Sequence, residues 1–306
     1  MSDEGENEEE RMAMKKIVKL IYIVIALQFV FTSCHKDSAL NPISIFDGGK
    51  VEEQNDFDKW IFKNLTQPYN IEVKYRLEDK ETAQQYNLAP ADYNKAIALT
   101  KLTKFLWLES YEELLGDAFI RTYCPKILNL IGSVAYEEGS MILGTAEGGL
   151  KITLYNVNSL DPDDLDIEFL NYWYFKTMHH EFAHILHQTK NYPTDFKEIS
   201  LDYQAGSWIN ISDKEALDMG FISPYASSEV NEDFVELISI YVTHDSAYWT
   251  NRLNSASAEG KAKIQAKFDI VRDYLQTSWG FNIDDLRVIV QRRSGLIGGL
   301  DLKSLN

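Results

Sequence analysis

Two cysteines in 306 residues, Cys34 and Cys124, are too few for a disulfide framework or a thiolate metal site. Positive charge is also scarce. With 30 Lys and Arg against 47 Asp and Glu, the chain carries a formal charge of -17, which would repel nucleic acid and anionic lipid alike. Leu20–Phe31 is almost wholly apolar but falls short of the roughly 20 residues that a bilayer core demands. No Gly-rich phosphate loop and no G-x-S-x-G elbow is present, which removes the usual signatures of nucleotide handling and of serine hydrolysis. Internal repeats are absent too, so the chain is not a solenoid.

What remains is a chain able to build a large core. Its 45% hydrophobic and 12% aromatic content are those of a folded protein, and the length allows one large domain or two modest ones. The N-terminus is organised differently. Three lysines in Met14–Lys19 precede the apolar stretch Leu20–Phe31, and Phe31-Thr32-Ser33-Cys34 closes it with small residues before a cysteine. This is the layout of a bacterial lipoprotein signal peptide, with cleavage before Cys34 and lipidation of its thiol. The acidic leader Met1–Arg11 is out of place ahead of a basic n-region, so translation is expected to begin at Met12 or Met14. Removal of Met1–Ser33 takes six of the 47 acidic and four of the 30 basic residues, leaving a charge of -15. The acidity therefore belongs to the mature chain, and Cys124 is expected to be a buried thiol.

Residues 1–33 thus read as the signal peptide with its extension, 34–55 as a lipidated tether holding Gly48-Gly49, and 56–306 as the folded domain. Phe57, Trp60, Ile61 and Leu65 have helical spacing, and Ile71, Val73 and Tyr75 alternate as in a strand. Ala91–Leu115 reads as a long helix. Ile127–Val134, Met141–Gly144 and Leu150–Val157 read as strands. Asp161-Pro162 offers a helix start, Phe196–Pro224 is polar and loop-rich, and helices are expected at Glu229–Thr243, Ala256–Thr277 and Asp284–Arg293.

The chemistry is concentrated in Thr177–Leu186, T-M-H-H-E-F-A-H-I-L, which contains one H-E-x-x-H: His180, Glu181 and His184. On a helix the two histidines lie one turn apart on one face, where both imidazoles reach one Zn²⁺ and Glu181 stands beside a metal-activated water. Five residues with two free positions recur by chance. The flanks, however, are free of charge, proline and glycine, as expected of a helix buried beneath a cleft. The neighbours His179 and His187 are read as packing or supporting residues, and His244 is too far along its helix to join.

A catalytic zinc with two histidines needs a third protein ligand. The metzincin continuation is excluded, because His187 and Lys190 stand where its Gly and His belong. Asn231–Ile240 carries Glu232 and Glu236 one turn apart on an apolar helix, so one carboxylate can ligate while the other holds the free N–H of a ligating histidine. Glu232 is the favoured ligand and Glu236 its helper. Glu198 and Asp202, nearer in sequence to His184, remain competitors.

This arrangement resembles gluzincin metallopeptidases of the lethal-factor-like group, which carry E-x-x-x-E on the second helix. In that group a tyrosine seven residues before the ligating glutamate assists the oxyanion, and Tyr225 has that offset from Glu232. More specifically, the lipobox, Trp60–Arg76 (W-I-F-K-N-L-T-Q-P-Y-N-I-E-V-K-Y-R) and His180–His184 resemble the zinc metallohydrolase lipoproteins associated with TonB-dependent nutrient importers of the Bacteroidetes type. The resemblance implies an α+β, zincin-like fold: an N-terminal mixed sheet with helices, the zinc helix, and a helical C-terminal half. It also implies a Zn²⁺ peptidase acting on peptides or proteins, lipid-anchored to the cell envelope at the outer membrane, beside an importer. Leu150–Val157 would be the edge strand that receives the peptide. The alternative is a non-catalytic, zinc-containing binding lipoprotein serving the same importer, against which the intact Glu181 argues.

Overall fold

The computed structural model describes residues 54–78, 85–137, 140–142, 144–147 and 149–305. The expected signal peptide, Cys34 and nearly all of the expected tether fall outside the described residues. The first helix, α1 (Asp56–Ile61), is set by a capping box: the Asn55 side chain accepts the Asp58 N–H, and the Asp58 carboxylate accepts the Asn55 N–H. Asp58 also accepts from the Tyr75 hydroxyl at 2.8 Å and pairs with Arg76 at 2.8 Å, tying the helix start to the end of the first strand. The helix continues through a π turn (Phe62–Thr66) into a last turn at Gln67–Tyr69.

A four-stranded sheet follows. Strands β1 (Glu72–Lys74), β2 (Ile127–Leu130) and β6 (Lys151–Leu154) are parallel, and β5 (Gly144–Glu147) runs antiparallel to β6, giving the order β1-β2-β6-β5. Strands β3 (Ala135–Glu137) and β4 (Ser140–Ile142) pair separately. The stretch Leu150–Val157 is therefore not an edge: β6 has a neighbour on each side, and all four of its residues are buried. The end strand is β5. Chain order does not reveal this, because β6 turns back beside the preceding β5 on one side and pairs with the more distant β2 on the other.

Between β1 and β2 lie α2 (Tyr93–Thr103), a π segment (Lys104–Leu108), α3 (Glu109–Leu115) and α4 (Asp117–Tyr123). Asp161-Pro162 does not start a helix. Asp161 accepts the Asp163 N–H at 2.9 Å and closes a turn, and the cap is instead Asp166, which accepts from Glu168 N–H. From there α5 (Ile167–Leu170), a π turn (Asn171–Phe175) and α6 (Lys176–Thr189) run on without a break. The π turn is pinned at both ends: Asn171 donates to the Thr243 carbonyl at 2.9 Å, and the Tyr174 hydroxyl donates to the Asn156 carbonyl at 2.9 Å. These bonds fix the rotation of α6.

The remaining elements are α7 (Phe196–Ile199), α8 (Asp213–Met219), α9 (Val230–Thr243), α10 (Ser246–Ser255), α11 (Ala258–Trp279) and α12 (Ile283–Ser294). The segment read as loop thus holds two short helices, and α10 was not expected. Helix α6 turns Met178, Phe182 and Leu186 into the core, where Phe182 meets Trp107 and Tyr111 edge-on. Its other face packs along α9. The result is a mixed α+β fold, mostly helical, with a small sheet. Among the described residues no helix is long and apolar enough to cross a membrane.

Candidate metal centre

Helices α6 and α9 bring His180, His184 and Glu232 together, with one donor atom from each lying within 4.8 Å of the others. The two imidazole rings are 4.9 Å apart. His180 Nε2 is 2.9 Å from Glu232 Oε2, and His184 Nε2 is 3.3 Å from Glu232 Oε1. Glu198 and Asp202, both exposed, are not in this cluster.

Hydrogen bonds behind the rings decide where their lone pairs point. His180 Nδ1 lies 3.0 Å from Glu236 Oε1; the carboxylate can only accept, so the proton is on Nδ1 and the Nε2 lone pair turns to Glu232. Glu232 Oε2, buried, has no hydrogen-bond partner there despite the short approach. A lone pair and an unpartnered carboxylate oxygen repel unless a positive charge lies between them. Burial opposes such a charge on the His180 ring, yet the Glu232 and Glu236 carboxylates outweigh it and move His180 up to about 9. The cluster thus favours a positive charge between His180 and Glu232, supplied by a proton on Nε2 or by a metal ion in its place, and two imidazole nitrogens plus one carboxylate are the donor set of a catalytic zinc that keeps a position open.

Glu236, 1% exposed, is the hub behind the site. It takes His180 Nδ1–H, the Lys176 ammonium at 2.9 Å and the Ser223 hydroxyl at 2.6 Å. Burial alone would raise its pKa, but Lys176, His180 and Ser223 hold it at about 2. On the other histidine, burial pushes His187 down to about 4, and the neighbouring His184 adds to the effect. His187 is therefore neutral, and its Nε2 lies 2.9 Å from His184 Nδ1, so that with the His184 proton on Nδ1 this nitrogen accepts it and leaves His184 Nε2 free to ligate. Tyr192 and Phe234 pack against His187 and hold its ring.

Glu181, half-buried and next along α6, has its pKa raised by burial, with His180 and His184 pulling the other way. The Tyr225 ring lies 5.8 Å from that of His180, and Trp208 meets it edge-on at 5.0 Å. Burial first, then the charges of Glu232 and Glu236, raise its hydroxyl above the usual phenol range, so it stays protonated and able to donate. His179 points away from the cluster, buried against the Tyr111 hydroxyl at 2.9 Å, and His244 stacks on Tyr248 beyond the end of α9.

A family profile described as "Putative zinc-binding metallo-peptidase" matches residues 50–284. The chain belongs to this family. The crystal structure of a protein from Bacteroides caccae, described in the same words, is similar at 42% identity with a TM-score of 0.73, covering 86% of this chain and all of that one. No curated protein matches.

Within the frame of this metallo-peptidase family, two residues around the site, Lys176 and Ser223, are not singled out by the sequence, and the part played by a third, His187, is only partly visible there. Lys176 precedes His180 by four residues on the same helix face, a spacing that was readable. Ser223 begins S-P-Y-A, a serine three residues before the N–H it caps, which is a local turn signal. His187 was placed among the packing or supporting residues, without its bond to His184.

Proposed function

We propose that this chain is a zinc-dependent peptidase whose ligands are His180, His184 and Glu232, with Glu181 as general base and Tyr225 as oxyanion donor. The convergence of the three donors beside Glu181, inside a zinc-binding metallo-peptidase family, carries this reading. When bound, zinc supplies a Lewis acid and makes water acidic enough to attack near neutral pH. Glu181 accepts the proton of the attacking water and passes it to the leaving amine. The Tyr225 hydroxyl donates to the oxygen that gains charge. Glu236 and His187 hold the imidazoles by their Nδ1 atoms, so that Nε2 would be the nitrogen offered to a bound ion. Strand β5, the end strand of the sheet, offers main-chain donors and acceptors to an extended peptide.

The test is cleavage of a proteome-derived peptide library by the zinc-loaded protein, read by mass spectrometry. The wild type should cut, and Glu181→Gln should retain zinc while losing most turnover. Equal rates for the two proteins would refute the base. A zinc-loaded wild type that cuts nothing would favour a binding lipoprotein. The Phe31–Cys34 lipobox supports anchoring through Cys34 in the envelope, at the outer membrane; labelled palmitate should enter the wild type and not Cys34→Ser. An association with a TonB-dependent importer rests on the resemblance alone.

A further inference from the structure

The geometry points to Ser223 as a positioning residue for Tyr225, an inference that rests on the oxyanion role proposed above. Both ends of the Ser223 hydroxyl are assigned. Its hydrogen goes to Glu236 Oε2 at 2.6 Å, since a carboxylate cannot donate, and its lone pair accepts the Ala226 N–H at 3.1 Å. Ser223 is 7% exposed, so water competes little for either bond.

The second bond matters because of where Ala226 sits. Tyr225–Ser227 is a single 3-10 turn, entered through Pro224, whose own φ is fixed and which has no N–H to offer. The exit of the turn is held from the other side, by Gln204 N–H on the Ser227 carbonyl at 2.7 Å and Ala205 N–H on the Ser228 carbonyl at 3.1 Å. Ser223 is the matching restraint at the entrance. Tyr225 lies between the two, with its ring against Trp208 and His180.

Glu236 therefore orients two partners at once. Oε1 takes the proton of the ligand His180, and Oε2, through Ser223, fixes the turn that carries the tyrosine. One side chain buried on α9 thereby links the ligand to the turn that carries the oxyanion donor. The role can be separated from folding, because Ser223→Ala removes one oxygen while Lys176 still pairs with Oε2 at 2.9 Å.

The experiment is a double-mutant cycle on Ser223→Ala and Tyr225→Phe, with zinc content, melting temperature, kcat and KM measured on the fastest-cut peptide of the library. Ser223→Ala should keep its zinc and lower kcat by about 10-fold to 100-fold, the usual cost of losing a supporting bond, with KM little changed. In the Tyr225→Phe background the same change should cost little more. An equal loss in both backgrounds, or a wild-type kcat in Ser223→Ala, overturns the positioning role while leaving Tyr225 in place. A wild-type kcat in Tyr225→Phe alone removes the oxyanion role and this inference with it.

Discussion

Replacing Glu236 by alanine removes the acceptor of the His180 Nδ1–H, 3.0 Å away, from a place where neither residue meets much water: Glu236 is 1% and His180 6% exposed. A buried donor left without a partner costs about 1–3 kcal/mol. The other two partners lose less, because the Lys176 side chain keeps 27% of its surface exposed and can turn to solvent, and Ser223 keeps its bond to Ala226. The loss falls on His180, whose ring is freed to rotate or to take its proton on Nε2, the atom needed for the ion. Groups behind metal-binding histidines are worth about 10-fold to 100-fold in metal affinity, or about 1.4–2.7 kcal/mol, which agrees with the orphaned donor. Glu236→Gln separates geometry from charge. Its amide oxygen can still accept from Nδ1–H, while its NH₂ faces Lys176, so zinc should be held more tightly than in Glu236→Ala but less tightly than in the wild type. Competition against a fluorescent zinc chelator measures both, with melting curves to check the fold. Wild-type affinity in Glu236→Ala would refute the claim that this carboxylate orients the ligand.

Two further outcomes follow from buried and capping charges. Lys267 on α11 pairs with Asp233 at 2.6 Å, both side chains fully buried, so Lys267→Met should cost about 3–5 kcal/mol in urea unfolding, and Asp233→Leu/Lys267→Met should recover most of it; a neutral single variant would contradict this. For Asp58, burial raises the pKa, but Arg76, Tyr75 and Asn55 outweigh it and bring it below the ordinary 3.8. The unfolded chain therefore binds this proton first, and the stability Asp58 supplies is present above about pH 4 and is lost as the pH falls below it. Wild type should lose stability more steeply than Asp58→Asn on acidification, and parallel curves would count against the assignment.

The His180–His184 motif and the pair Glu232 and Glu236 could be found in the sequence because each is local: two side chains one turn apart on an otherwise apolar helix. Tyr225 had no such signal and came only through resemblance. What the sequence hid was contact at long range. Ser223 sits in a polar stretch, and nothing nearby says that its hydroxyl meets Glu236, thirteen residues on. The position of β6 between β2 and β5 was hidden for a related reason: chain order does not determine sheet order, and an alternating pattern suited to one buried face had to serve a strand buried on both. Other features were present but masked by composition. Ser212 and Glu215 form the capping box of α8, a readable S-x-x-E, inside a segment polar enough to pass for loop. The π turn at Asn171–Phe175 had no readable signature, yet with its two pinning bonds it sets the rotation of α6.

The proposed third ligand comes from α9 and not from the nearer segment 198–202. Zinc content measured by mass spectrometry after dialysis against a weak chelator tests it, with Glu232→Ala, Glu198→Ala and Asp202→Ala compared side by side. Zinc should stay near-stoichiometric in the last two and be lost in Glu232→Ala. Zinc that survives Glu232→Ala and vanishes in Glu198→Ala or Asp202→Ala would contradict it.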